Sequence, residues 1–220
     1  MFQAQRVYLN SNEHNRASTF EVESREFRFI ERCRQEFPLH RYERLAPVMH
    51  DLRVIKSKHE LAMLEEAIRI TNDGFHRVMR FVKPGVKEYE IEAEMIHEFV
   101  KQGAQGFAFP PIIGSGKNAC VLHYVTNNHV CHDGDMVLLD FGARYANYNA
   151  DLTRSIPVNG RFTKRQRDVY NSVLRVMRGA TKLLKPGVRL KEYYDEVVEL
   201  MKEELIKLKL LTKQQVKDGN

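Results

Sequence analysis

Asp140 and Asp151 are the residues whose placement in this sequence calls for chemistry. They lie in the stretch 136–156, where 136–142 alternates around an apolar centre and 149–156 does so more loosely, a pattern that predicts two antiparallel strands. A turn near Tyr145 and Ala146 would set Asp140 directly opposite Asp151, on one face, with Cβ atoms about 4.5–5.5 Å apart. Like charges so placed repel. Asp140 also closes the apolar run Val137-Leu138-Leu139, where an unpaired carboxylate is costly to bury. A divalent cation removes both penalties, because two facing oxygen ligands can clamp one ion or bridge two about 3.5–4 Å apart, as in two-metal hydrolytic sites. Without a metal, the same acids would be solvated or paired with Arg144 or Arg154.

Periodicity gives the elements around this pair. Residues 107–113 and 119–125 read as extended, the second carrying His123, and Asp133-Gly134-Asp135 reads as a turn into the central strand. A lone strand histidine is more often a satisfied core residue than a catalytic one. Upstream, Ser57-Lys58-His59-Glu60 forms a capping box and predicts a helix. Its apolar stripe is Leu61, Leu64, Ile68, Thr71, Phe75, Val78 and Val82, and Lys83-Pro84-Gly85 stops it. A second helix over 87–102 would bury Ile91, Met95, Ile96 and Phe99 before Gly103. Residues 20–37 predict a charged helix ended by Pro38, and 45–55 an extended connector. His59-Glu60 and His97-Glu98 lack the second histidine of a zincin helix, and Gly114-Ser115-Gly116-Lys117 lacks the flanks of a phosphate-binding loop.

Thr163 to Gln166 is another capping box, followed by the stripe Val169, Val173, Val176, Ala180 and Leu183. Lys185-Pro186-Gly187-Val188 repeats Lys83-Pro84-Gly85-Val86 at an offset of 102 residues, each copy standing between two amphipathic helices. This predicts an internal repeat. The offset would carry the second copy's strands past residue 220, so only the first copy's ligands are expected in this sequence. Two monodentate carboxylates fill neither the six or more oxygen positions of a hard cation nor the four of zinc.

Composition excludes other classes. With 43% hydrophobic and 29% charged residues the chain reads as globular, no apolar run reaches the length of a membrane span, and the first residues lack a signal-peptide core. Cys33, Cys120 and Cys131 are odd in number and show no CxxC spacing, which fits a reducing cytoplasm. The net charge of +6 sits in 161–220, where lysines and arginines alternate with acids without aromatic platforms. That pattern is a solvated helix face, not a nucleic-acid surface.

The motifs at 118–124, 134–143 and 150–155 resemble consecutive motifs of aminopeptidase P, in the pita-bread metallopeptidase family that also includes prolidase and methionine aminopeptidase. The resemblance implies a mixed α/β (α+β) partial pita-bread fold: an antiparallel sheet flanked by helices. Residues 1–55 would be the tail of an amino-terminal domain and its connector. Residues 56–220 would be an incomplete catalytic domain, divided into a first half-repeat over 57–160 and the helices of a second over 161–220. It implies that Asp140 and Asp151 are two of five ligands to two divalent ions, usually manganese, with His123 a catalytic histidine that hydrogen-bonds the substrate or the developing oxyanion. It implies a metallo-aminopeptidase acting on peptides with proline in second position. The remaining histidine and two glutamate ligands would lie in the absent strands, so this chain alone is expected to bind metal weakly or not at all and to be inactive. A prolidase-type dipeptidase and a non-catalytic scaffold are the alternatives. Uncovered apolar helix faces and an open sheet edge predict a homo-oligomer.

Overall fold

The computed structural model describes residues 4–11 and 24–217. The chain divides into two compact units, residues 1–65 and 66–220.

In the first unit, β1 (Arg6–Leu9) and β2 (Arg41–Arg44) pair in parallel. Helix α1 (Arg25–Glu36) starts where the Ser24 hydroxyl accepts from Phe27 N at 3.1 Å, and ends just before Pro38. The expected helix start at Phe20 lies outside the described residues. The expected extended connector is instead helix α2 (Ala46–Val54), with Pro47 in its first turn, where the missing N–H and fixed φ suit a helix. Val48 and Leu52 are exposed and α2 buries nothing, so no apolar face announces this helix in the sequence.

Helix α3 (Lys58–Phe81) begins at the predicted capping box, with Ser57 N donating to Glu60 at 2.7 Å and Glu60 N to the Ser57 hydroxyl at 3.3 Å. Its buried residues are Ala67, Ile70, Thr71, Gly74 and Val78, whereas the predicted stripe members Leu61 and Ile68 are exposed. Gly85, at φ +95°, makes the turn into α4 (Glu88–Lys101), which buries Ile91, Met95 and Phe99 but leaves Ile96 exposed. These helices cover one face of a three-stranded sheet of order β3 (Ile112–Ser115), β4 (Met136–Phe141), β7 (Leu152–Pro157). Val137, Leu139 and Phe141 of β4 face the helices and are fully buried. The expected strand over 119–125 does not form. A 3-10 turn over Gly116–Cys120 leads into an irregular loop instead.

The helices flanking the two Lys-Pro-Gly-Val turns keep the same spacing. Helix α5 (Lys164–Leu183) ends 102 residues after α3, and α6 (Leu190–Lys207) begins 102 after α4. Thr163 and Gln166 exchange the two capping bonds at 2.8 and 3.3 Å. Glu204 locks α6 to α5 through Arg175 at 2.6 Å and also pairs with Lys207; hydrogen bonding to Arg175 and Lys207 holds its carboxyl down to about 2. The two copies differ in what covers them: Val86 is 6% exposed, but its counterpart Val188 is 43% exposed.

Candidate metal centre

Alternation along β4 sends Asp140 to the face opposite the core, where it is half-buried. The hairpin tip is formed by β5 (Arg144–Tyr145) and β6 (Tyr148–Asn149), closed by Ala146 and Asn147 at φ +48° and +66°. Both central residues are left-handed, as a two-residue type I′ turn requires, so the turn lies one residue later than the sequence suggests. The register moves by two. Thr153, not Asp151, stands directly opposite Asp140, and Asp151 is its diagonal neighbour. Because side chains alternate with a period of two, this correction keeps both aspartates on one face.

The hairpin is tied to the helices beneath it. The Thr71 hydroxyl accepts from Ala143 N at 2.9 Å and donates to Ala67 O at 2.8 Å, fixing the point where β4 leads into the tip. On the open face, the Thr153 hydroxyl donates to Asp140 Oδ1 at 3.0 Å, orienting that carboxylate. Thr153 joins the candidate site without a sequence signal, because its contact depends on the shifted register. The same face continues into an apolar cavity of about 580 Å³ between β7 and α5, lined by Met136, Thr153, Ser155, Val169, Val173 and Met177.

Burial, then the charge of Asp140, then a hydrogen bond with Asp140 push the Asp151 carboxyl above its ordinary value of 3.8. Arg144 and Arg154 do not relieve the pair: Arg144 donates to Gln105 O and Arg154 to Thr153 O. A raised folded-state value means that Asp151 contributes stability below its ordinary range and loses it as pH rises through the folded value. Metal-free Asp151→Asn should therefore be more stable at pH 7 by about 0.5 kcal/mol, a modest figure because the acid is exposed. The difference should vanish below about pH 3, where both states are protonated. Thermal melts of the two proteins across that range check this, and equal melting temperatures at pH 7 would refute it.

His123 is exposed, at φ +54°, in the loop following the 3-10 turn, not in a strand. The expected strand placement of His123 and the reading of it as a satisfied core residue are therefore both corrected. The loop is fastened at its neighbours. Tyr124 OH donates to Glu88 at 2.7 Å, and Asn127, 3% exposed, accepts from Ile113 N at 3.0 Å. Glu88 and Asn127 carry no sequence signal of this role, since an acid in a first helical turn and an asparagine in a loop each have local explanations.

Two hard oxygen donors on one face, mutually repelled and with no cationic partner among the described residues, fit part of a divalent-cation site. Among the described residues no group of three or more His, Cys, Asp or Glu side chains is placed to hold an ion. Two carboxylates by themselves fall short of the ligand count of such a site. Residues 62–217 match the family model of metallopeptidase family M24. The chain belongs to metallopeptidase family M24. Within that family it is 42% identical over 165 residues to the Xaa-Pro aminopeptidase of Escherichia coli, covering 75% of this chain and 37% of that protein. Its pita-bread fold matches a solved putative aminopeptidase P from Bacillus anthracis with a TM-score of 0.86 at 32% identity, covering 96% of this chain and 50% of that one. Zinc-substituted E. coli aminopeptidase P in complex with product aligns with a TM-score of 0.83 at 32% identity, over 99% of this chain and 50% of that one. This M24 chain thus spans half or less of the relatives' length.

Proposed function

We propose that this chain carries part of the catalytic centre of a metal-dependent Xaa-Pro aminopeptidase, which removes the amino-terminal residue ahead of proline. The observation that carries this is the placement of Asp140 and Asp151 as diagonal neighbours on one open face of the sheet. Both would hold divalent ions, manganese in this reading, with Thr153 keeping one Asp140 oxygen occupied and turning the carboxylate. When bound, the metals supply Lewis-acid polarisation of the scissile carbonyl and activation of water. His123 would donate a hydrogen bond to the substrate or to the oxyanion that develops from its carbonyl. One histidine and two glutamates complete the ligand set in this proposal, so hydrolysis belongs to a protein that also supplies them.

The same reading places the substrate among peptides with proline second, excludes nucleic acid as a partner, and puts the protein in the cytoplasm, in keeping with the free thiols of Cys33, Cys120 and Cys131. No described helix is long and apolar enough to cross a membrane. Self-association through uncovered apolar side chains such as Val173 and Leu190, 58% and 80% exposed, belongs to it as well.

Calorimetric titration of the 220-residue chain with manganese should show millimolar uptake, the range of poorly pre-organised sites, and Asp140→Asn should weaken it at least about tenfold. No heat of binding in the wild type, or equal uptake by the variant, would overturn the metal assignment. For a protein containing the full ligand set, cleavage of a tripeptide with proline second separates an aminopeptidase from a dipeptidase, which should leave it intact.

A further inference from the structure

The loop that carries His123 has almost nothing apolar to hold it. Val121, Leu122 and Val125 are 53%, 86% and 54% exposed, and His123 itself is exposed. Segments with so few buried apolar contacts open easily. His123 and Asn127 are nevertheless both left-handed, at φ +54° and +47°, a strained conformation for a non-glycine residue that persists only where the surroundings enforce it.

Two polar anchors enforce it. Immediately after His123, the Tyr124 hydroxyl donates to Glu88 Oε2 at 2.7 Å and accepts from Asn118 Nδ2 at 3.0 Å. Four residues after His123, Asn127 Oδ1 accepts from Ile113 N at 3.0 Å, while its Nδ2 donates to Pro111 O at 2.9 Å and to Glu92 at 3.0 Å. Pro111 and Ile113 flank Ile112, the β3 residue paired directly with Asp140. Asn127 therefore grips the strand on both sides of the residue that faces the candidate ligand.

We propose that Tyr124 and Asn127 are positioning residues: together they fix the loop bearing His123 to the strand register that presents Asp140. This rests on the reading of His123 and Asp140 as parts of one site. Asparagine tolerates the left-handed region, and its amide can serve a donor and an acceptor at once, which explains the residue type at 127.

The test uses the ¹⁵N-labelled 220-residue chain with Tyr124→Phe, which removes one hydroxyl and leaves Glu88 its other donors, and Asn127→Gly, which keeps the left-handed backbone accessible. In the metal-free protein the order parameter at His123 should fall from about 0.85 to below about 0.6 in each variant, while β4 amides are unchanged. Added manganese should broaden the His123 imidazole resonance in the wild type, and at least threefold less in the variants relative to the Ser155 amide. An unchanged order parameter in both variants overturns the proposal, as does a loosened loop with undiminished broadening. Absence of broadening anywhere in the wild type counts against the metal reading instead, and the order parameters then still decide whether the anchors hold His123.

Discussion

Gly142→Ala is expected to destabilise the chain by at least about 3 kcal/mol and to abolish manganese uptake. A Cβ at this position would lie 1.7 Å from the Ala150 carbonyl oxygen, 2.4 Å from its carbon and 3.1 Å from Asp151 N. All three are backbone atoms, so no rotamer change relieves the overlap and the two strands must separate or slip. Gly142 follows Asp140 by two residues, and Ala150 immediately precedes Asp151. The close approach of the strands is therefore what holds the two carboxylates within reach of each other. A slip of one residue would move Asp151 to the other face. Urea unfolding with calorimetric titration measures both consequences. As a control, Gly134→Ala meets no atom within 4 Å and suffers only the strain of a left-handed alanine at φ +83°, about 1 kcal/mol. If Gly142→Ala cost no more than that control, the close approach would not be what sets the register.

The parts of the fold that were legible in the sequence are those governed by local rules. Capping boxes placed the starts of α3 and α5, glycines at φ +95° and +89° placed the turns before α4 and α6, and the offset of 102 residues anticipated the matching helices. The face shared by Asp140 and Asp151 was also legible, because strand alternation survives an error of two in register. The turn falls at Ala146 and Asn147 and not at Tyr145 and Ala146, because Asn147 favours the left-handed backbone that a two-residue hairpin turn needs. Helix α2 was illegible because it buries no face. The loop over 121–130 was illegible for a different reason: its conformation is set by hydrogen bonds to Glu88, Pro111 and Ile113, partners 14–41 residues away in sequence. No window of the sequence contains both sides of such a contact.

The two helix pairs, alike in local sequence, differ in what covers them. Glu88 and Leu190 occupy equivalent first positions of α4 and α6, yet Glu88 is fully buried and Leu190 is 80% exposed. The helices match because capping and periodicity match. The burial differs because the sheet and its loops cover only the first copy among the described residues.

That contrast makes Glu88→Ala the second large effect: a loss of about 4 kcal/mol or more, with loosening of the His123 loop. The Glu88 carboxylate accepts from Ser115 N at 2.7 Å, Ser115 Oγ at 2.8 Å, Asn118 Nδ2 at 3.3 Å, Tyr124 OH at 2.7 Å and His129 N at 2.9 Å. Alanine would leave these donors facing a void, and Glu88→Gln would set an amide N–H against some of them. Burial works against ionisation of Glu88, but the N–H groups of Ser115 and His129 and the hydroxyls of Tyr124 and Ser115 outweigh it, so the carboxyl sits below its ordinary value of 4.5. A depressed folded-state value gives stability that is fully present above the ordinary range and is lost as pH falls through the folded value. Wild-type stability should thus decline as the solution is acidified below about pH 4.5, and Glu88→Gln, less stable at pH 7, should show a shallower decline. Urea unfolding at a series of pH values reads both slopes. Parallel curves for the two proteins would mean that the charge at this position contributes nothing, leaving only the shape of the side chain to fasten α4, β3 and the His123 loop together.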